Sequence, residues 1–440
     1  MIFFAVKHRD HLRGEIFLSG DKSIAHRAVI LSSISRSKTK IENFPANEDC
    51  LATVSAFKKL GIKIKFLDKN TINVSGKGLF GLRIPEGPIF IKESGTTFRL
   101  LLGVLAGQNF TARLTAGKSL SRRPMLRVTQ PLRLMGAKLN AKRSTLNAKE
   151  EYPPIKIQGG NLNSIIYKIP IASAQVKSAI LLAALFAKGK THLLEPVKTR
   201  DHTERMFKSF KADIKVSGNK ITVKGERELV SPKNIYVPGD ISSAAFFIVA
   251  ATIVPNSKVL IRNVSLNPTR TGILEVLKRM GADIKIKNSR AKTQNSELMG
   301  DLLIKSSSLK AVKVKKEEIP FLIDEIPILM IAASLAKGRS VFEGAQELRV
   351  KETDRIRSMS QNLRKMGVAI KVVKNGSSEN IVVQGVSKLK AAKVKSFGDH
   401  RTAMSMIVAG LAAGGKTQID DISCIDKSFP GFVRTLYKLS

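Results

Sequence analysis

One pattern limits what this chain can fold into: a polar start that turns small and apolar occurs six times along it. Each copy ends near Gly or Ser, just before a β-rich run. The copies are DKSIAHRAVILSSIS at 21–35, ESGTTFRLLLGVLAG at 93–107 and ASAQVKSAILLAALFAKG at 172–189. They continue with DISSAAFFIVAATIV at 240–254, IDEIPILMIAASLAKG at 323–338 and FGDHRTAMSMIVAGLAAGG at 397–415. A second marker alternates with the first, an amphipathic helix followed by a Lys-rich strand. Its copies are FKKLGIKIKF, LRLMGAKLNA, FKSFKADIKV, LKRMGADIKI and LRKMGVAIKV, and the chain closes on a shortened one, FVRTLYKLS. The residues that end these helices, Gly61, Gly136, Lys211, Gly281 and Gly367, fit a C-terminal cap with positive φ. The chain is therefore an α/β protein built from six βαβαββ-type repeats.

The sixth repeat stops where its next strand should begin, and the chain opens with two orphan strands, at 2–6 and 14–18. These N-terminal strands are expected to complete the last repeat. The result is a discontinuous domain of residues 1–19 plus 239–440, and an inserted domain of residues 20–238, three repeats in each. Two crossings, near Gly20 and near Pro238, make a hinge, and an active site is expected in the interdomain cleft.

In such a fold the first helix of each repeat is buried except for its polar start. A helix start already favours anions through its unpaired N–H groups and partial positive charge. Here the starts carry Lys22, Ser23, Arg27, Arg99, Ser173, Gln175, Asp324, His400 and Arg401. An ordinary helix capped by Ser23 would account for the first start alone, but not for the recurrence.

Composition narrows the class. The chain carries 75 basic against 35 acidic residues, formally +40. The lysines are spread along it, and base-stacking aromatics are scarce, with no Trp and 4 Tyr, which disfavours a single-strand nucleic-acid platform. No apolar run reaches the ~18 residues of a membrane span, and the first residues lack the pattern of a secretory signal. The cysteines, Cys50 and Cys424, form no CxxC pattern, as expected of a reducing cytoplasm. No metal-ligand spacing, P-loop, GxGxxG fingerprint or Ser-His-Asp order is present.

Four further stretches carry chemistry. GKSLSRRPM at 117–125 sets Arg122 and Arg123 in a loop suited to phosphate or carboxylate. TRDHTERM at 199–206 mixes both charges at a helix start. QELRVKETDRIRSM at 346–359 places Lys351, Glu352 and Arg355 together, a carboxylate among cations. Such a group can move protons while the cations hold a phosphate. CIDKSFPGF at 424–432 puts Lys427 in a turn. Taken singly, each is also compatible with a solvated basic surface.

Together these motifs resemble the 5-enolpyruvylshikimate-3-phosphate synthases. The markers are GDKSIAHR, SGTTFR, SRRPM, SAQVK, RDHTE, NPTR, IDEIP, ELRVKETDRI, GDHR and KSFPGF, in order along essentially the whole chain. GDKS, SAQVK, RDHTE and NPTR are similar to the glyphosate-tolerant subclass, class II. The resemblance implies a two-domain inside-out α/β barrel, enolpyruvyl transferase-like. It implies transfer of the enolpyruvyl group of phosphoenolpyruvate (PEP) to the 5-hydroxyl of shikimate 3-phosphate by addition and elimination, with no cofactor and no metal.

Carried onto this sequence, Lys22, Arg123, Arg355, Arg401 and Lys427 would hold PEP, with Gly95 and Gln175. Ser23, Arg27, Ser173, Ala174, Gln175, Asp324 and Lys351 would hold shikimate 3-phosphate, with Lys22, Thr199 and Arg200. The catalytic residues would be Asp324, accepting the 5-hydroxyl proton, and Glu352 with Lys22, serving the PEP methylene. The expected partners are these small anions, with no nucleic acid and no membrane, and the enzyme is expected to be a cytoplasmic monomer. Two positions depart from the family: Glu93 stands where Asn is usual, and Lys118 where an acid is usual. The nearest rival, the transferase acting on UDP-N-acetylglucosamine, typically uses a loop cysteine, which GKSLSRRPM lacks. A basic nucleic-acid-binding protein and an inactive family member are the remaining rivals.

Overall fold

A computed structural model of the chain describes residues 3–143, 150–290, 297–376 and 378–439. It divides into two compact units. The discontinuous unit comprises Met1–Ser19, Pro238–Ala291 and Leu298–Ser440; the inserted unit comprises Gly20–Val237 with Lys292–Glu297. Pro238 thus falls with the discontinuous unit and Glu297 with the inserted one, unlike the boundaries read from the repeats.

Each small-residue stretch is a helix: α1 (Lys22–Ser33), α2 (Gly95–Ala106) and α3 (Ala174–Ala184) in the inserted unit. The discontinuous unit holds α4 (Ile241–Ile253), α5 (Ile326–Ser334) and α6 (His400–Ala412). Past their first turns these helices are buried almost all round. In α4, Ile241, Ala244, Phe246, Phe247, Ile248 and Val249 are all buried, the signature of a helix inside a core. Each such Ile or Phe side chain contributes about 1.5–3 kcal/mol by leaving water. Close approach needs small residues: a Cβ on Gly103 of α2 would stand 2.2 Å from the Ala179 carbonyl oxygen of α3.

Side chains of Asp21, Ser94, Ser173, Asp240 and Asp399 accept from first-turn N–H groups of α1, α2, α3, α4 and α6. The cap of α1 is therefore Asp21, bonded to the Ile24 N–H at 3.0 Å, and not Ser23, which lies inside the first turn. An anionic oxygen accepts more strongly than a hydroxyl, which favours Asp21.

The strands form sheets with one recurring order, and they alternate buried and exposed. Lys220–Lys224, for example, buries Ile221 and Val223 and exposes both terminal lysines. Around α2, α3, α5 and α6, the strand before the helix pairs in parallel with the strand after it. The chain crosses between units just before α1 and α4, and there the pairing is exchanged. Arg13–Phe17, which precedes α1, lies parallel to Lys258–Ser265, which follows α4. Asn234–Tyr236, which precedes α4, lies parallel to Lys38–Glu42, which follows α1.

This corrects the expectation that both N-terminal strands complete the last repeat. Phe4–Lys7 does so, running antiparallel to Lys416–Ile419, while Arg13–Phe17 opens the fourth sheet. Residue 2 of the expected first strand lies outside the described residues. Each of the two strands lies in the unit that the chain is about to leave, so it pairs with the strand that follows that unit's own first helix. The markers behave as expected, since Gly61, Gly136, Lys211, Gly281 and Gly367 all have positive φ.

Candidate active site

In the inserted unit the first turns of α1, α2 and α3 are tied into a ring. His26 Nδ1 of α1 meets Thr53 Oγ1 at 2.6 Å, and that hydroxyl meets Thr97 Oγ1 of α2 at 2.7 Å. Arg99 Nη1 of α2 donates to Gln175 Oε1 of α3 at 2.6 Å, and Gln175 Nε2 donates to Thr96 Oγ1 at 2.9 Å. The ring closes where Arg27 Nη2 of α1 donates to Ser178 Oγ of α3 at 2.6 Å. Burial pushes the His26 ring down to about 3, so it is a neutral linker at physiological pH.

The ring positions the expected ligand-binding residues. Lys22 Nζ lies 2.8 Å from Asp49 Oδ2, both side chains about a fifth exposed. Arg27 is buried and donates to Thr203 Oγ1 at 2.7 Å and to the Ser23 carbonyl at 2.8 Å, which fixes the first turn of α1. Burial lowers its guanidinium to about 10, still charged at neutral pH. Arg123 follows the short turn Leu120–Arg122. A Cβ built on Gly95 would stand 3.1 Å from its Nη1 and 2.9 Å from Arg99 Nη1. Arg122 itself is exposed.

Ser173 and Ala174 form the half-buried start of α3. Thr199 is buried, its N–H donating to Glu195 Oε1 at 3.1 Å and its hydroxyl to the same oxygen. Arg200, the next residue, is half-buried. Beneath them Lys177 Nζ lies 2.7 Å from Glu204 Oε1 and 3.1 Å from Glu195 Oε1, with all three side chains almost wholly buried. Burial raises the Glu204 carboxyl, and Lys177 opposes that shift.

In the discontinuous unit a second network joins the starts of α4, α5 and α6. Ser242 Oγ of α4 donates to Glu325 Oε1, at the head of α5, and accepts from Arg270 Nη2 at 2.6 Å. Arg401 Nη1 of α6 donates to the Asp324 carbonyl at 2.8 Å.

Arg355 is the centre of the charged part. Its Nε meets Asp399 Oδ2 at 2.9 Å, its Nη1 meets Asp324 Oδ1 at 3.3 Å and its Nη2 meets Glu352 Oε2 at 2.6 Å. Burial works against its charge, but Asp399, Glu352 and Asp324 together outweigh burial and hold it above the usual arginine range. Asp324 and Glu352 stay partly open, at 18% and 35% side-chain exposure, so a substrate can reach both. Lys351 is half-buried just after the turn Gln346–Val350, and Lys427 is exposed at the end of the turn Ser423–Lys427.

Each unit thus gathers three helix starts and their cations, and the discontinuous unit adds two reachable carboxylates braced by one guanidinium. Anion binding with proton transfer is the chemistry such groups support. Motif reading did not assign Asp49, Thr97, Lys177, Glu195, Ser242, Glu325 or Asp399 to the site. Four signals pointed their way, the SGTTFR, SAQVK, IDEIP and GDHR markers that contain Thr97, Lys177, Glu325 and Asp399.

Comparison with known proteins agrees over the full length. The family model described as EPSP synthase (3-phosphoshikimate 1-carboxyvinyltransferase) matches residues 6–436. The chain is 48% identical over 432 residues to 3-phosphoshikimate 1-carboxyvinyltransferase of Petrotoga mobilis, covering 98% of each. It is 47% identical over 430 residues to that of Thermoanaerobacter sp. strain X514, again covering 98% of each. Its structure superposes on EPSP synthase from Acinetobacter baumannii with a TM-score of 0.87 and 40% identity, covering 100% of this chain and 98% of that one. The enolpyruvyl transferase NikO from Streptomyces tendae shares the fold, with a TM-score of 0.76, 16% identity and coverage of 99% and 97%.

Proposed function

The chain belongs to the EPSP synthase (3-phosphoshikimate 1-carboxyvinyltransferase) family, and from that membership we propose how its residues divide the work. It is a transferase of the shikimate pathway and aromatic amino acid biosynthesis. It moves the enolpyruvyl group of PEP to the 5-hydroxyl of shikimate 3-phosphate and releases phosphate.

Addition forms a bond from the 5-oxygen to C2 of PEP while the methylene carbon takes a proton. Elimination removes a proton from that carbon as phosphate leaves, restoring the double bond. Asp324 takes the 5-hydroxyl proton; its carboxylate is reachable and is oriented by Arg355. Glu352, with Lys22, exchanges the proton at the methylene carbon. Lys22, Gly95, Arg123, Gln175, Arg355, Arg401 and Lys427 hold PEP. Lys22, Ser23, Ser173, Ala174, Gln175, Thr199, Arg200, Asp324 and Lys351 hold shikimate 3-phosphate. Arg27 belongs to the same set, its guanidinium oriented by Ser23, Ser178 and Thr203. Among the described residues no helix is long and apolar enough to cross a membrane. We take the enzyme to act as a cytoplasmic monomer, without cofactor or nucleic acid.

The observation that carries this assignment is the triple grip of Arg355 on Asp324, Glu352 and Asp399. A phosphate-release assay tests it. Release is expected only with both substrates present, to persist with glyphosate, and to be absent with UDP-N-acetylglucosamine in place of shikimate 3-phosphate. Glu352→Gln should slow release by about 100-fold or more at an unchanged melting temperature, as for loss of a positioned proton-transfer group. Release from PEP alone, or an unimpaired Gln variant, would overturn the assignment.

A further inference from the structure

Glu93 is a carboxylate placed beside an anion site, where its charge alone would repel the ligand. It directly precedes Ser94, the cap of α2, and Gly95, which lies next to Arg123. Its contacts resolve the conflict. Oε2 accepts the Leu120 N–H at 2.7 Å and Oε1 accepts the Ser119 N–H at 3.3 Å. These N–H groups open the turn Leu120–Arg122, so the carboxylate sits at the positive end of a helical turn. The turn is held from both sides: the Leu120 side chain is fully buried, and the Arg123 N–H returns to the Leu120 carbonyl at 3.0 Å. Gly117 makes room. Its N–H donates to the Lys92 carbonyl at 2.6 Å, and a Cβ built there would stand 2.3 Å from Glu93 Oε1. The Glu93 carboxylate occupies the space that a side chain at 117 would fill.

We propose that Glu93 is a positioning residue for PEP: it tethers residues 117–123 so that Arg123 faces the substrate beside Gly95, and Gly117 is the residue that admits it. This rests on the assignment of Arg123 to PEP. A tether and a bare charge predict opposite signs. Removing a merely repulsive charge would tighten PEP binding, whereas removing a tether weakens it.

Two variants approach the contact from its two sides. Glu93→Gln leaves one acceptor and turns an amide NH2 toward a backbone N–H. Gly117→Ala pushes the carboxylate off the turn without changing any charge. In steady-state kinetics each should raise KM for PEP by about five- to tenfold, with kcat and KM for shikimate 3-phosphate within about twofold. The double variant should be no worse than the worse single one, because both act on one contact. If either variant fails to fold, the other carries the test.

Arg123→Ala is the control. If it leaves KM for PEP unchanged, the assignment of Arg123 fails and the tether with it. If it raises KM for PEP while Glu93→Gln leaves it unchanged or lowers it, the tether alone is overturned. An equal rise in both KM values with a fall in kcat would also overturn it, as the mark of general loosening.

Discussion

Replacing Arg355 by Lys keeps the charge and removes the geometry, so it isolates what the guanidinium fork does. Arg355 reaches three carboxylates through three nitrogens, at 2.9 Å to Asp399, 3.3 Å to Asp324 and 2.6 Å to Glu352. A single ammonium group cannot span them. A hydrogen bond to a charged group contributes about 1.5–3 kcal/mol when buried, and an exposed ion pair about 0–1 kcal/mol. Asp399 is fully buried and Glu352 is a third exposed, so the Asp399 contact carries most of the stability. Asp399 also accepts the Arg401 N–H at 2.7 Å and the Thr402 N–H at 3.2 Å, which cushions the loss. The expected destabilisation is about 2–4 kcal/mol, a fall in melting temperature of roughly 5–12 °C for a unit of this size. Asp324 and Glu352 would lose their shared brace, so kcat/KM in the phosphate-release assay should fall by about 100-fold, the scale of a small misplacement of reacting groups. Scanning fluorimetry and steady-state kinetics read both effects. A Lys variant within about 2 °C and threefold of the parent would refute the idea that fork geometry, and not charge, organises this cluster.

Two further outcomes follow from the inserted unit. His26 titrates near 6.5 when unfolded and near 3 when folded, because burial disfavours its charge. Above pH 6.5 it adds no slope, but between 6.5 and about 3 only the unfolded chain takes up the proton, so stability falls by about 1.4 kcal/mol per pH unit. His26→Gln should flatten urea-derived stability over that window by about one proton, and an unchanged slope would mean that His26 is charged when folded. Lys211 holds φ 59° where the four other markers have Gly. Lys211→Gly should raise stability by about 0.5–1 kcal/mol, the relief of left-handed strain less the added chain entropy. A lower melting temperature would show that the lysine side chain compensates its backbone.

What the sequence could and could not reveal follows from distance along the chain. The repeat was legible because each copy writes its own helix, cap and turn locally, and Lys22, Arg355 and Arg401 stood out because they break small apolar runs or cluster with carboxylates. The strand exchange was not legible. Arg13–Phe17 and Asn234–Tyr236 are short runs whose composition names no partner, and each pairs with a strand far away along the chain. The supporting residues were hidden for the same reason: Ser242 meets Glu325 from 83 residues away, and Arg27 meets Thr203 from 176. Glu93 looked out of place because charge is visible in a sequence and hydrogen-bond direction is not.

A crystal structure with shikimate 3-phosphate and PEP bound bears most directly on the proposed chemistry. Ser23, Ser173 and Gln175 should contact the same ring whose 5-hydroxyl lies within hydrogen-bond reach of Asp324, with Arg123, Arg355 and Arg401 on PEP. Density for either substrate away from these helix starts, or a 5-hydroxyl out of reach of Asp324, would contradict it.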